Sequence, residues 1–240
     1  MEWILISKYA GACLAVGLAA IGSAYGEGYT AMKAAEAIAR QPKASNEIVR
    51  TMLITQAVAE TPGIFGLLIS IILLFVASSE GGASFAASLI SAGICMGVGA
   101  IGAGIGSGQA GGAACESIGR HPRLSSGILL TTLIGQAIVQ TACIFALVVS
   151  MLLCLIPRES DNLAMIGAML GAGCAMGIGA IGGGISSGYP VKMAVWGMSR
   201  NSNIGGVLTR TMLLGQAVTH SVSIYSMVLA FLFIFVVGQK

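Results

Sequence analysis

The sequence predicts an all-α membrane protein with six transmembrane helices arranged as three tandem helical hairpins. Of its 240 residues, 56% are apolar and only 9% are charged, whereas an ordinary soluble domain has about 25% charged residues. The mean hydropathy is +0.91. These values exclude a soluble globular protein, because there are too few charges to cover its surface. The net charge of +3 is too small to indicate nucleic-acid binding.

An internal repeat of 80 residues determines the predicted organisation. Arg40, Arg120 and Arg200 each begin a short polar segment and lie 80 residues apart. Gln56, Gln136 and Gln216 keep the same spacing, as do the glycines Gly22, Gly102 and Gly182 and the glycines Gly28, Gly108 and Gly188. The predicted hairpins are therefore residues 1–80, 81–160 and 161–240.

Each repeat contains two apolar runs on either side of its arginine-bearing loop. A helix rises about 1.5 Å per residue, so every run is long enough to cross the roughly 30 Å hydrocarbon core of a bilayer. Helices are expected because a single chain segment in lipid must satisfy its own backbone hydrogen bonds. Met1-Glu2-Trp3 lacks the basic start of a signal peptide, so the first run is expected to be retained. The runs are Ile4–Ile38, Ile48–Val76, Phe85–Ile118, Ile128–Ile156, Leu163–Met198 and Val207–Val237.

Basic residues are distributed unequally between the two ends of the predicted hairpins. The opposite end from the loops has only Lys8, Arg158 and Lys240, near the acidic residues Glu80, Glu159 and Asp161. The positive-inside rule then predicts cytoplasmic loops and both termini outside. The basic residues at the loop end are Lys33, Arg40, Lys43, Arg50, Arg120, Arg123, Lys192, Arg200 and Arg210.

The two helices of each hairpin differ in composition. First helices are rich in glycine, as in Gly97–Gly108 and Gly177–Gly188, whereas second helices are rich in large apolar residues, as in Gly66–Val76. Small residues permit close packing of membrane helices, which predicts an inner layer of first helices and an outer layer of second helices. The G-x-G-x-x-G matches within these runs do not indicate a dinucleotide site, because they lie midway along apolar helices. The six cysteines also lie in apolar stretches and receive no redox or metal role.

Two acidic residues, Glu27 and Glu60, lie far from any loop. A charged side chain at the bilayer centre costs at least about 2.5–3.5 kcal/mol, so such residues indicate function. If the first hairpin turns near Lys43, Glu27 and Glu60 face each other at one depth near the middle of the membrane. Two adjacent carboxylates cannot both stay ionised there, so they hold a proton or a cation. A structural carboxyl–carboxyl hydrogen bond is the alternative.

The other two repeats lack these carboxylates. Gln140 and His220 occupy the position of Glu60, and Ser107 and Ser187 occupy that of Glu27. A histidine without an acidic partner in its hairpin is expected to be a neutral hydrogen-bonding residue. The hydroxyl after the carboxylate position is kept in every repeat, as Thr61, Thr141 and Ser221.

Over its whole length the sequence resembles the c subunit, or proteolipid, of rotary ATP synthases and ATPases. The first repeat has that family's glycine-rich helix, its Arg-Gln-Pro loop at Arg40, Gln41 and Pro42, and its membrane carboxylate at Glu60. The resemblance implies a two-layer c-ring of identical chains that turns against a stator a subunit with an essential arginine. It also implies that the loops contact the central stalk through Arg40, Gln41, Pro42, Arg120 and Arg200.

The resemblance further implies an ion site and a transported ion rather than a cofactor. In sodium-coupled members, ligands correspond to Glu60, Glu27, Thr61 and the carbonyl of Val58, with a neighbouring hairpin supplying the equivalents of the last two, here Thr141 or Ser221. Oxygen-rich surroundings favour Na⁺, whereas proton-binding members surround the carboxylate with apolar groups. Na⁺ at Glu27 and Glu60 is therefore expected, with H⁺ as the alternative. Pro62 and Phe65 depart from the Thr and Tyr often found in sodium-type members.

One carboxylate pair in three hairpins also affects the expected direction of the motor. Fewer ions would cross per turn, which suits an ATP-driven pump in a bacterial plasma membrane, and the chain itself would hydrolyse nothing. The competing function is a passive, glycine-packed channel or scaffold, which would not explain why only one repeat has the carboxylates. An enzyme is disfavoured by the lack of a nucleophile–base pair and of a soluble domain.

Overall fold

A computed structural model describes residues 2–78, 81–156 and 162–236. Within these residues, six helical segments are long and apolar enough to cross a membrane, as predicted. The positions of Glu80, Arg158, Glu159, Asp161 and Lys240, used above for orientation, lie outside the described residues. The helices are α1 Glu2–Arg40, α2 Ser45–Ile71, α3 Ala83–Arg120, α4 Ser125–Val139, α5 Thr141–Leu155, α6 Leu163–Arg200 and α7 Gly205–Phe235.

The six spans form three hairpins, called here hairpin 1 (α1 and α2), hairpin 2 (α3 to α5) and hairpin 3 (α6 and α7). In hairpin 1, α2 continues as one π-helical turn, Ile72–Val76. In hairpin 2, α4 and α5 make up a single span that is interrupted at Gln140. The described part of the chain is thus all-helical, with two helical layers.

The polar loops are short and alike. Each first helix ends at an arginine. A positive charge is favourable there, because the carboxyl end of the helix dipole is negative. A 3₁₀ turn follows and leads directly into the second helix. In hairpins 1 and 2 this turn begins at Pro42 and Pro122, where proline's fixed φ suits the first position of a helix.

The inner layer consists of α1, α3 and α6, which lie side by side with α3 in the middle. Their backbones approach closely at glycines. A β-carbon on Gly22 would lie 2.5 Å from the Cα of Ile101, and one on Gly102 would lie 2.5 Å from the Cα of Ile181. Real side chains do not tolerate such contacts, so glycine is required for this spacing. The predicted close packing of first helices is confirmed.

The outer layer consists of the second helices. Those of hairpins 1 and 2 pack against their own first helix and the first helix of the next hairpin, whereas α7 packs mainly against α6. Large apolar side chains cover its outward surface, among them Leu67, Phe75 and Tyr225 with exposed fractions of 50%, 81% and 70%. Such a surface is stable against lipid and not against water. The protein is therefore a multi-pass membrane protein, whose two open edges are hairpin 1 on one side and hairpin 3 on the other.

Candidate ion-binding site

Glu27 and Glu60 line one cavity of about 310 Å³ on hairpin 1, together with Ser23, Gly63 and Leu67 among others. Glu60 is exposed and Glu27 is partly buried. The two carboxylates are close enough to interact electrostatically. The structure thus brings together the two acidic residues that the sequence placed at one depth.

Two hydrogen-bonded contacts hold α1 and α2 in this register. The hydroxyl of Ser23 accepts a hydrogen bond of 3.0 Å from the amide of Gly63 and donates one of 3.5 Å to the carbonyl of Glu60. One turn towards the loop, the side-chain amide of Gln56 donates to the carbonyl of Glu27 at 3.0 Å. Both carboxylates therefore extend from backbone segments that are fixed to each other.

The corresponding position in hairpin 2 is filled by Gln140, which is only 6% exposed. Its Nε2 donates to the carbonyl of Val58 and to the hydroxyl of Ser107, both at 2.9 Å. The predicted ligand Val58 thus directs its carbonyl towards hairpin 2. This contact joins residues 82 positions apart, and reasoning from the sequence missed it.

The corresponding position in hairpin 3 is filled by His220, which is 7% exposed. Its ring nitrogens lie 3.2 Å from the hydroxyl of Thr141 and 3.0 Å from that of Ser187. At both junctions, the residue at the Glu60 position thus contacts the serine at the Glu27 position of its own hairpin and the second helix of the preceding hairpin.

The two remaining hydroxyl candidates lie in different surroundings. Thr61 is partly buried and donates a long hydrogen bond of 3.4 Å to the carbonyl of Ala57. Ser221 is partly buried on the open edge of hairpin 3 and donates to the carbonyl of Val218 at 2.7 Å. Within one chain, neither hydroxyl is recorded in a hydrogen bond with Glu60.

Repeated glutamines fix the hairpins to one another one helical turn closer to the loops. Gln136 donates to the carbonyls of Thr55 and Ser107, at 3.1 and 2.9 Å. Gln216 donates in the same way to the carbonyls of Gly135 and Ser187, at 2.9 and 3.1 Å. The 80-residue spacing of the glutamines was the sequence signal for this role, although it does not identify the partners.

The predicted stalk-contact residues gather at the loop end of the hairpins. The Arg40 side chain is 62% exposed, and its guanidinium lies 3.6 Å from Glu36 and 3.9 Å from Glu116 of hairpin 2. Arg120 pairs with Glu116 at 2.5 Å. Gln41 and Pro42 begin the adjacent turn, and Arg200 is exposed at the equivalent end of α6. This end presents a polar, mainly basic surface.

Comparison with known proteins identifies the family. The family described as the ATP synthase C subunit matches three times, at residues 10–73, 90–153 and 170–233. The ATP synthase c subunit of Alkaliphilus oremlandii is 53% identical over 74 residues, covering 31% of this chain and 83% of its own length. The ATP synthase c subunit of Gloeobacter violaceus is 58% identical over 64 residues, or 27% of this chain and 78% of its own.

A longer relative matches most of the chain. The K subunit of the A-type ATP synthase of Methanocaldococcus jannaschii is 30% identical over 202 residues, which cover 84% of this chain and 86% of that protein. The three family matches fall one in each hairpin, and each covers most of both membrane spans of that hairpin. The chain therefore belongs to the ATP synthase C subunit family, with three copies of the family's domain in one polypeptide.

Proposed function

We propose that this protein is the rotor subunit of a rotary ATP synthase or ATPase, and that it carries Na⁺ rather than H⁺ across the membrane on Glu60. The observation that carries the proposal is the cavity shared by Glu27 and Glu60, which lies between the two membrane-spanning helices of hairpin 1. Hairpins 2 and 3 have no carboxylate at these positions and would not carry an ion. The chain itself catalyses no reaction.

The position of Glu60 is suited to exchange an ion as the rotor turns. An ionised carboxylate that faces lipid is costly, so Glu60 would be stable there only with a proton or a cation bound. A stator a subunit with an arginine at this depth would provide an alternative partner and release the ion. Exchange between these two states at successive positions gives directional transport when the rotor is turned by a soluble ATP-hydrolysing head.

Identical chains would close into a ring through the open edges of hairpins 1 and 3. A head-to-tail contact of this kind uses two different surfaces and closes when the rotation per chain permits. The two junctions inside the chain supply the pattern: Gln140 contacts the carbonyl of Val58, and His220 contacts the hydroxyl of Thr141, which occupies the Thr61 position of hairpin 2. By this pattern, Val218 and Ser221 of the preceding chain would complete the site of Glu60.

Na⁺ is favoured by the ligands that this arrangement supplies. Two carboxylates, one hydroxyl and one backbone carbonyl form an oxygen-rich site, which suits a hard cation. Thr61 and Val58, by contrast, would belong to the adjacent junction in the same chain. The pair of carboxylates gives one negative charge to balance Na⁺ and a second that a proton can neutralise.

The polar end of the hairpins would contact the central stalk. Arg40, Gln41, Pro42, Arg120 and Arg200 are the residues proposed for this contact. The excess of basic residues at this end favours cytoplasmic loops and external termini, in a bacterial plasma membrane. Crosslinking from cysteines introduced beside these arginines should capture a stalk subunit, whereas a passive channel would give no such product.

One ion site in three hairpins favours a pump driven by ATP. Fewer ions per turn divide the free energy of each ATP among fewer charges, so each ion moves against a steeper gradient. ATP synthesis by the purified holoenzyme at ordinary ion-motive force would contradict this direction, and so would single-hairpin subunits in the same ring.

Carbodiimide labelling of Glu60 tests the proposed site directly. The reagent attacks a protonated carboxyl group, so a bound Na⁺ should protect Glu60 in the assembled protein. If labelling decreases as the pH rises but does not depend on Na⁺, the protein is a proton rotor. If Glu60 is not labelled under any condition, it is not a transport site.

A further inference from the structure

We propose that the loop end of the junction between hairpins 1 and 2 binds the headgroup of a zwitterionic phospholipid with a primary amine, as in phosphatidylethanolamine. The site goes beyond the proposed function and does not depend on it. Its basic residue, Arg50, precedes Glu60 by ten residues on α2, which is about 15 Å along a helix. The lipid headgroup would therefore lie well apart from the candidate ion site.

A cavity of about 240 Å³ lies between the beginnings of α2 and α4. Near the loops, its lining includes Glu47 and Arg50 of α2 and Ser126 of α4. Further from the loops, it includes the leucines Leu129 and Leu133. The cavity thus changes from polar to apolar along the direction from the membrane surface to the membrane interior, as a phospholipid molecule does.

The two charged side chains of this cavity are available to a ligand. Glu47 and Arg50 are both exposed and lie one helical turn apart, a spacing at which opposite charges can pair. Among the described residues, neither is recorded in an ion pair, whereas Lys33 and Glu36, with the same separation on α1, pair at 2.9 Å. The cavity therefore presents a positive and a negative group side by side.

This pair of charges selects among lipid headgroups. A guanidinium binds a phosphate through two parallel hydrogen bonds, and a carboxylate beside it can accept from a primary ammonium, which has three N–H donors. The trimethylammonium of phosphatidylcholine has no N–H group. Phosphatidylglycerol has only a negative charge, which the carboxylate repels. A pocket with basic residues alone would instead favour anionic lipids.

The complete pair of charges occurs in one hairpin of the three. In hairpin 2, Gly127 and Leu130 occupy the positions of the glutamate and the arginine. Hairpin 3 has an arginine, Arg210, but Val207 replaces the glutamate. The sequence therefore predicts one such lipid for each chain, rather than one for each hairpin.

Native mass spectrometry of the complete assembly in detergent tests the site. The delipidated protein is offered phosphatidylethanolamine, phosphatidylcholine and phosphatidylglycerol with identical acyl chains. We expect one retained ethanolamine lipid per chain, with retention about fivefold above that of either other lipid, which is the upper range for one exposed charge pair. Equal retention of all three would overturn the proposal, because lipid would then cover the outer surface without a specific site.

Two substitutions separate the amine contact from the phosphate contact. Glu47→Gln should remove the preference for the ethanolamine lipid over phosphatidylglycerol, whereas Arg50→Gln should lower the retention of both lipids. The matched control is Arg210→Gln, the same change at the equivalent position of hairpin 3, which should leave the number of ethanolamine lipids unchanged. A preference that survives Glu47→Gln would overturn the proposal, and so would equal losses in Arg50→Gln and Arg210→Gln.

A second measurement uses the unaltered protein and applies even if a variant does not assemble. Ethanolamine lipids with one, two or three N-methyl groups keep the phosphate and the positive charge but lose N–H donors in steps. Retention should fall along this series, by about fivefold at the trimethylated lipid. Unchanged retention across the series would mean that no N–H group contacts Glu47, and the proposal would be wrong.

Discussion

At the scale of single residues, glutamine side chains link neighbouring hairpins through hydrogen bonds from their amide groups. Gln136 and Gln216 each use one NH₂ group to join a first helix to the second helix of the preceding hairpin. Gln56 makes the bond to its own first helix, at the carbonyl of Glu27. By the same pattern, its remaining N–H would reach the Gly215 carbonyl of the preceding chain.

Gln216→Leu should weaken the contact between hairpins 2 and 3. Leucine fills a similar volume but donates no hydrogen bond, so two carbonyls lose a donor at a cost of about 1–2 kcal/mol. We expect a lower thermal midpoint for the purified protein in detergent. Gln41→Leu, at a partly exposed loop position, is the control and should leave the midpoint unchanged. An equal midpoint for both variants would contradict a structural role for the Gln216 amide.

Glu27→Gln should weaken Na⁺ binding at Glu60 without abolishing it. The amide keeps an oxygen ligand but removes a negative charge, and cation affinity depends on the number of charged ligands. We expect the Na⁺ concentration for half-protection against carbodiimide to rise about tenfold, equivalent to about 1.4 kcal/mol.

The control for Glu27 is Glu36→Gln, the same change on the same helix. Glu36 lies near the loop and pairs with Lys33 at 2.9 Å, so its substitution should not affect Na⁺ protection. If Glu27→Gln also leaves the half-protecting concentration unchanged, Glu27 is not a ligand.

At the scale of whole helices, glycine sets the distance between α1, α3 and α6. Gly102→Ala would place a methyl group against the backbone of α6, and overpacking of this kind costs about 1–3 kcal/mol. We expect a lower thermal midpoint and weaker protection of α3 amides in hydrogen exchange. Gly167→Ala is the control, because a β-carbon there meets no atom within 4 Å. Similar losses in both variants would indicate helix flexibility, rather than contact, as the role of these glycines.

The sequence predicted the helices more completely than it predicted the contacts of the candidate site. A regular repeat and apolar runs are local signals, so six spans and two layers were predictable, and the predicted first run, Ile4–Ile38, lies within α1. The interruption at Gln140 was not predicted, because it accompanies a contact with Val58 in another hairpin. Pro62 was a local signal of that contact: it lies within α2 and has no N–H group to donate to the carbonyl of Val58, four residues earlier. The sequence alone does not show which side chain supplies the missing donor.

At the scale of the molecule, the two open edges have complementary features. Gly22 and Gly102 contact the next first helix, whereas a β-carbon on Gly182 would meet no atom within 4 Å. Each of these glycines contacts the isoleucine 79 positions later, Ile101 or Ile181. For Gly182 that position falls on Ile21 of the next chain, whose side chain is 59% exposed here. Gly182→Ala should therefore leave folding intact but prevent ring assembly.

Native mass spectrometry or gel filtration in detergent measures that outcome. The chain should retain its helical circular dichroism while the large assembly is lost. Gly167→Ala again serves as the control and should assemble normally, because the equivalent positions of hairpins 1 and 2, Ser7 and Ala87, already have a side chain. A Gly182→Ala protein that forms the same assembly would contradict the proposed contact between chains.

The junction between chains also predicts which hydroxyl serves Glu60. Ser221→Ala should reduce Na⁺ protection of Glu60, because it removes a ligand that the preceding chain contributes. Thr61→Ala is the matched change at the equivalent position of hairpin 1 and should have little effect, since by the same pattern Thr61 would belong to the junction between hairpins 1 and 2, which has no carboxylate at the Glu60 position. A larger effect from Thr61 than from Ser221 would mean that each site is completed within one chain.

Covalent linkage of the three hairpins changes how such a ring would assemble. Two of every three contacts between hairpins form while a single chain folds, so their formation does not depend on protein concentration. Only the contact between hairpin 3 and the next hairpin 1 requires two chains to meet and costs translational and rotational freedom. A dilute membrane would therefore support this ring at a lower abundance of chains than a ring of separate hairpins needs, and the number of hairpins in a ring made only of this chain would always be a multiple of three.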